Sequence, residues 1–371
     1  MEPGTTNILD DARIIASIPQ IEYLLEKNCK VVLLSHLGRP QDKPDSQFSM
    51  EPISNRLSQI IKMPVMQLPG CRGEQILKKI STMQHRSIAM LENIRFEIGE
   101  SKNEYKLSRE LAKLADIFIN DAFGVAHRAH ASTEGITRHI PSFIGFLMEK
   151  ELGMLGALMD NPSRPMTSII GGAKASDKMS LLQNLSKKVD SIIIGGGMAA
   201  TFLKAKGFNV GASAFEQDRI LEALDLMAHK PNTMAKVIIP CDVIVAENFA
   251  YDANFQTVSV DSVPENWIIV DIGPVTSTNY GSIIAESSTV IWNGPMGVFE
   301  WDNFSSGTIK VANALSKLND GITVVGGGST AQVMSKLDLV NTVTHVSTGG
   351  GATLTYMEGK PLPAIEAILE Q

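Results

Sequence analysis

Short continuous apolar runs alternate along this chain with stretches of helical spacing, and each run closes on glycines or on a basic cluster. In the first half, Lys30-Val-Val-Leu-Leu34, Pro64-Val-Met-Gln-Leu68, Ser87-Ile-Ala-Met-Leu91 and Asp116-Ile-Phe-Ile-Asn120 read as strands; an unbroken apolar run marks a strand buried on both faces, as in parallel sheets. Residues 11–27 place Ile14, Ile15, Ile18, Ile21, Leu24 and Leu25 on one side of a helix. Further helices are predicted over 51–61, 72–80 and 103–114. Residues 142–159 read as one apolar helix with Glu149, Lys150 and Glu151 midway, broken by Asn161-Pro-Ser-Arg-Pro165. The second half carries five strand-to-glycine junctions: Ser168-Ile-Ile-Gly-Gly172, Ser191-Ile-Ile-Ile-Gly-Gly-Gly197, Thr289-Val-Ile-Trp-Asn-Gly294, Ile322-Thr-Val-Val-Gly-Gly-Gly328 and Thr344-His-Val-Ser-Thr-Gly-Gly-Gly351. Alternating strands and helices imply a parallel α/β sheet. In such sheets the strand ends gather at one edge, where ligands bind.

The junction at Ile169-Ile-Gly-Gly-Ala-Lys-Ala-Ser-Asp-Lys178 is the richest. Gly171 and Gly172 permit a sharp turn and close backbone approach. Ser176 and Asp177 are helix-start residues ahead of Met179-Ser-Leu-Leu-Gln-Asn-Leu185. Lys174 and Lys178, four apart, are placed on one face of that helix start, where backbone N–H groups and two ammonium groups suit phosphate. Read alone, the same residues also fit a plain strand–turn–helix with two solvated lysines.

Composition narrows the classes. The chain has 371 residues, enough for two domains, with 44% hydrophobic and 20% charged residues. A formal net charge of −7 argues against general nucleic-acid binding. Cys29, Cys71 and Cys241 are far apart and form no CxxC, so neither a disulfide framework nor a zinc site is expected. No apolar run spans a membrane, and the polar start is not a signal peptide, which points to the cytoplasm.

The two halves differ in their junction chemistry. First-half strand ends carry His36, Arg39, Arg95, His127, Arg128 and His130; second-half ends carry glycines with Lys174 and Lys178. A basic rim on an acidic protein is a local field for a small polyanion, and arginine forks suit phosphate and carboxylate. Each arginine alone reads as a surface ion pair; three at successive strand ends do not. The histidines can equally serve as loop hydrogen-bonders. Trp292-Asn-Gly-Pro-Met-Gly-Val-Phe-Glu300 offers an apolar wall and a carboxylate suited to an adenosine, with Trp292 itself read as a buried strand residue. No GxxxxGK[ST] loop and no GxGxxG is present, so neither a P-loop nucleotidase nor a nicotinamide-dependent dehydrogenase is supported.

Six segments in order, Ser35-His-Leu-Gly-Arg-Pro40, Leu91-Glu-Asn-Ile-Arg-Phe96, Asn120-Asp-Ala-Phe-Gly…His-Arg-Ala-His130, Gly171-Gly-Ala-Lys-Ala-Ser-Asp-Lys178, Trp292–Glu300 and Ser347-Thr-Gly-Gly-Gly351, resemble phosphoglycerate kinases. The resemblance implies two doubly wound parallel-sheet α/β domains facing a cleft and joined by a long helix. Residues 1–145 would bind 3-phosphoglycerate, 146–163 connect, and 164–356 bind ADP or ATP with Mg²⁺, while the tail 357–371 packs back on the first domain. It further implies that Arg13, from Asp10-Asp-Ala-Arg-Ile14, acts in catalysis with Lys174 and Gly351. His36, Leu37, Gly38, Arg39, Arg95, Arg128 and His130, with Arg13, would hold the acid. Gly172, Lys178, Gly196, Gly197, Asn293, Pro295, Gly297, Val298, Glu300, Gly327, Gly328, Ser329 and Thr330 would hold the nucleotide. The resemblance suggests a monomer whose cleft closes about the connection near 142–165 to exclude water.

Two departures from the family pattern stand out. Met1-Glu-Pro-Gly falls where the turn after the family's first strand belongs, so the chain reads as lacking that strand, leaving its neighbours with unpaired ladder groups. Ser329 stands where the family usually has an aspartate linked to magnesium, and a neutral hydroxyl is the weaker ligand. A competing reading follows from both: a catalytically weakened nucleotide-binding protein with a regulatory role.

Overall fold

The computed structural model describes residue 8 and residues 11–40, 44–228 and 235–371. The expected turn at residues 1–4 lies outside them. The chain divides into two units, one formed by residues up to Leu152 together with Pro361–Gln371, the other by Gly153–Lys360.

In the first unit the strands are β1 (Val31–Leu33), β2 (Val65–Gln67), β3 (Ile88–Met90), β4 (Phe118–Asn120) and β5 (Ser142–Ile144), and the helices between them are α1 (Ala12–Glu26), α2 (Glu51–Ile61), α3 (Glu74–Ser81) and α4 (Tyr105–Ala112). All pairings are parallel, in a three-stranded sheet β1–β3–β2 and a two-stranded sheet β4–β5. Among the described residues β1 and β4 are therefore edge strands. Ile21, Leu25 and Val31 pack with Met50, Leu57 and Ile88 on one side. Leu68, Ile76, Leu91, Leu107, Leu111 and Ile136 form the second core.

The predicted helix over 142–159 is corrected. Ser142–Ile144 are the strand β5, in register with Phe118–Asn120, and the helix α5 runs from Phe146 to Asp160. Pairing with β4 outweighs the apolar run, because an extended partner already offers ladder hydrogen bonds there. Gly145 N–H donates to the Asn120 carbonyl. Asp121 Oδ1 then accepts from Leu147 and Met148 N–H at 2.7 and 3.1 Å, satisfying the donors that open α5. That carboxyl is pushed above its usual range by burial. Helix α5 crosses the boundary between the units.

In the second unit six parallel strands line up as β14–β13–β12–β6–β7–β8, comprising His345–Val346, Ile322–Gly326, Thr289–Asn293, Met166–Ile170, Ser191–Ile194 and Lys236–Ile238. The five predicted glycine junctions are thus the C-terminal ends of five adjacent strands. Strands β6 and β12 are buried along their whole length. The helices are α6 (Met179–Leu185), α7 (Ala199–Ala205), α8 (Ile220–Met227), α9 (Pro274–Ala285), α10 (Ser306–Leu315), α11 (Gly328–Lys336) and α12 (Gly351–Met357). A separate antiparallel sheet, β10–β9–β11, covers Phe255–Ser259, Asp242–Ala246 and Ile268–Ile272. Sequence patterning did not announce it: β10 is mostly exposed, so it carries little apolar signal.

Helix α6 begins at Met179, with Lys178 at its N-cap and no side-chain cap. This corrects the helix start at Ser176-Asp177, which lie in the preceding turn. The last helix, α13 (Pro363–Leu369), belongs to the first unit and packs on β5. Its end is fixed by Gln371, whose Oε1 accepts from Ser142 N–H at 2.8 Å. No described helix is long and apolar enough to cross a membrane.

Candidate active site

The loop after β1 is locked onto the loop after β3. Asn93 Nδ2 donates to the carbonyls of Leu37 (2.7 Å) and Phe48 (2.9 Å), and Asn93 is itself fully buried. Gly38 has φ +62°, and a Cβ there would sit 2.4 Å from the Phe48 ring, so only glycine fits this turn. Its carbonyl accepts from Arg95 Nη1 at 2.5 Å. Leu37 and Gly38 thus shape the loop through their backbones.

Arg39, Arg95 and Arg128 then surround one cavity of about 180 Å³ with Pro40, Glu97, Glu100, Ser101 and His130. None of the three arginines forms an ion pair with a described carboxylate; Glu97 is engaged by Arg72 at 2.8 Å. Burial, then the neighbouring Arg128 and Arg39 charges, lower the pKa of Arg95. His36 is pushed down from 6.5 to about 4, first by burial and then by the Arg95 charge, with Arg13 also contributing. His36 is therefore neutral at neutral pH. Arg13 itself lies exposed in the first turn of α1.

On the second unit the glycines divide into two kinds. Gly171, Gly196 and Gly294 face backbone: a Cβ on them would sit 2.1 Å from the Pro295 carbonyl, 2.5 Å from Gly172 N and 2.3 Å from the Gly171 carbonyl, respectively. Gly197 is close to the Ala173 carbonyl, and Gly297 to the Asp271 carboxylate. These positions are glycine because neighbouring backbone and side-chain atoms pack against them. Gly172, Gly328 and Gly350 by contrast meet nothing within 4 Å, and Gly327, at φ +91°, opens the first turn of α11.

Lys178 is half-buried, and burial lowers its pKa; its Nζ donates to Asn293 Oδ1. The Nδ2 of that buried asparagine has no partner among the described residues and lies against Gly326 and Gly327. Thr330 is buried, with Oγ1 accepting from Gly294 N–H at 2.8 Å, so its side chain is committed to the fold. Ser329, Lys174 and Glu300 are exposed. Lys174 does not share a helix face with Lys178, because residues 171–178 are not helical. Pro295 and Val298 are half-buried, and Val298 N–H donates to the Val270 carbonyl at 2.9 Å. Gly351 starts the short helix α12. Trp292 is fully buried, with Nε1 donating to the Gly294 carbonyl at 2.9 Å.

The family described as Phosphoglycerate kinase matches residues 2–360. A phosphoglycerate kinase of Pelotomaculum thermopropionicum is 45% identical over 371 residues, covering 100% of this chain and 94% of the relative. One of Herpetosiphon aurantiacus is 46% identical over 361 residues, 97% of this chain and 91% of the relative. The solved phosphoglycerate kinase of Coxiella burnetii superposes with a TM-score of 0.87 at 37% identity, over 100% of this chain and 93% of that one. The chain belongs to the phosphoglycerate kinase family.

This membership makes the chain a kinase, and likeness over nearly the whole length does not favour the weakened-binder alternative. Two features of this phosphoglycerate kinase family member were not read from sequence. Glu100, 4% exposed, is one acid among several in a charged stretch, and nothing local marks it as buried. Asp271, in β11, accepts from Gly307 and Ile272 N–H at 2.7 and 2.9 Å and is pushed by burial from 3.8 to about 7. Its only sequence signal was an acid inside an apolar run, Ile268-Ile-Val-Asp-Ile272.

Proposed function

We propose that the chain transfers a phosphoryl group reversibly between 1,3-bisphosphoglycerate and ADP, giving 3-phosphoglycerate and ATP. The observation that carries this is the cavity of Arg39, Arg95 and Arg128, whose three guanidinium groups have no described carboxylate partner. Such a cavity suits a small molecule bearing both carboxylate and phosphate. His130 and the neutral His36 add hydrogen-bonding edges, and Leu37 and Gly38 hold the rim. The nucleotide is assigned to the turns at Gly172, Gly327, Gly328 and Ser329, with Lys178 and Asn293 at the phosphates and Glu300 at the ribose. Pro295, Gly297 and Val298 shape the base side, and Gly196, Gly197 and Thr330 act by holding that edge together.

In the forward direction a β-phosphate oxygen of ADP attacks the acyl phosphorus, the P–O bond to the carboxyl group breaks, and carboxylate leaves. Such a transfer needs alignment and charge neutralisation more than covalent help. Arg13 and Lys174 supply cationic stabilisation, and the Gly351 N–H supplies a hydrogen bond, to the moving group. The described residues contain no cluster of three or more His, Cys, Asp or Glu able to hold a metal. An ion carried by the nucleotide phosphates would meet the exposed Ser329 hydroxyl as its protein ligand. Mg²⁺, when bound, neutralises phosphate charge. We infer a cytoplasmic monomer.

The test is ADP release by the full chain given ATP, Mg²⁺ and 3-phosphoglycerate, with Arg13→Ala alongside. Turnover that needs the acid, and that Arg13→Ala loses while still binding nucleotide, is expected. No acid-dependent turnover in the native chain would defeat the reading.

A further inference from the structure

Two carboxylates line the arginine cavity, Glu97, which is paired with Arg72, and Glu100, which has no such partner among the described residues. Glu100 is almost fully buried, and its carboxylate accepts from Ser132 twice, Oε1 from the hydroxyl at 2.6 Å and Oε2 from the N–H at 3.0 Å. His130 Nδ1 stands 3.5 Å from Oε1, and the Glu100 carbonyl accepts from Ala131 N–H at 3.0 Å. Glu100 is thus fastened to the turn that carries Arg128 and His130. It forms no ion pair with Lys or Arg among the described residues, yet its charge acts on both Arg95 and His36. A carboxylate buried without a cationic contact is costly unless nearby positive charge compensates it. Here the compensation is the uncommitted arginine field.

Resting on the assignment of this cavity to an oxyanion, we propose that Glu100 is the internal counter-ion of the arginine cavity. It is a positioning residue that holds the 128–132 turn in place and, by its charge, loosens the cavity's grip on oxyanions. Two consequences oppose each other. Neutralising Glu100 leaves the arginines to repel one another, which destabilises the empty chain. The same change raises the positive potential felt by an incoming anion. A residue needed only for shape would produce the first effect without the second.

The experiment measures inorganic sulfate binding to the full chain by calorimetry and by sulfate-dependent thermal shift. Glu100→Gln keeps the size and an acceptor for Ser132 but removes the charge. It is expected to melt lower without sulfate and to bind sulfate roughly tenfold more tightly, the scale of one charge acting across a partly screened site. The KM for 3-phosphoglycerate falls in parallel while the KM for ATP does not move. Ser132→Ala removes the hydroxyl hydrogen bond to Oε1 but keeps the backbone one and the charge, so it lowers the melting temperature and leaves sulfate affinity as it was. Sulfate affinity in Glu100→Gln equal to or weaker than native overturns the proposal. So does a Glu100→Gln chain that saturating sulfate cannot restore to the folded state, because an anion in the cavity should replace the missing charge. A native chain that binds no sulfate overturns it as well. A native chain that binds sulfate, tightens with Glu100→Gln and yet shows no acid-dependent turnover leaves this inference standing and defeats the activity reading alone.

Discussion

In the proposed reading, the basic cavity of the first unit and the glycine edge of the second would hold phosphate by opposite means. The cavity works through side chains: Arg39, Arg95 and Arg128 keep their charges uncommitted, and a buried Glu100 tempers them. The edge works through the main chain, and most of its glycines are engaged with one another. Gly171, Gly196 and Gly294 let three adjacent strand ends pack backbone to backbone, and only then are Gly172 and Gly328 left facing open space. The difference teaches that a charged site can lose a member and keep its fold, whereas a backbone site cannot. Removing an arginine side chain leaves the loop intact; adding one methyl group at a packed glycine pushes on main-chain atoms that have nowhere to go.

The largest effect is expected where that distinction is sharpest. Gly196→Ala places a methyl 2.5 Å from Gly172 N at φ +69°, and should cost roughly 3–5 kcal/mol of stability. Gly328→Ala, in open space, should stay within about 1 kcal/mol of native. Chemical denaturation of both variants checks this, and equal losses would erase the distinction between the two kinds of glycine.

Next comes the acid limb of stability. His36 has its folded pKa lowered from 6.5 to about 4. Between those values the unfolded chain binds more protons than the folded one, so stability present above pH 6.5 is lost as pH falls towards 4. The loss amounts to about 3 kcal/mol for a shift of that size. Unfolding free energies measured across that window should flatten in His36→Asn; an unchanged slope would assign the acid loss elsewhere.

Arg95→Ala tests the cavity directly. A hydrogen bond to a charged group is worth about 1.5–3 kcal/mol, so the KM for 3-phosphoglycerate should rise roughly tenfold to a hundredfold while nucleotide affinity holds. Matching losses for both ligands would break the division of labour between the two regions. The smallest expected effect is at Ser329→Asp, which adds a charged oxygen ligand and should lower the magnesium concentration needed for half-maximal turnover by a few-fold. A titration of magnesium at fixed ATP reads this out.

Much of the architecture was legible because buried parallel strands leave a strong trace. Val31–Leu33, Ile88–Met90 and Ser191–Ile194 each appear as an unbroken apolar run closing on a loop of unusual composition. The basic cluster was legible for the same reason, since strand ends converge wherever a parallel sheet forms. The strand Ser142–Ile144 was not, because an apolar stretch is compatible with either period until a partner strand claims it. The antiparallel sheet was missed since β10 is mostly exposed. Lys174 and Lys178 were placed on one helix face by their spacing, which assumes helical backbone that residues 171–178 do not adopt.

By itself, the sequence determined the alternation of elements, the two kinds of strand end and the family, because these depend on local periodicity and on contiguous motifs. Tertiary structure alone decided which glycines face a neighbour and which face open space, that Thr330 is committed to Gly294, and that Glu100 sits inside the arginine cavity. Those outcomes depend on distances between residues far apart in the chain. Burial and Coulomb interaction change steeply over a few ångströms that no local pattern records.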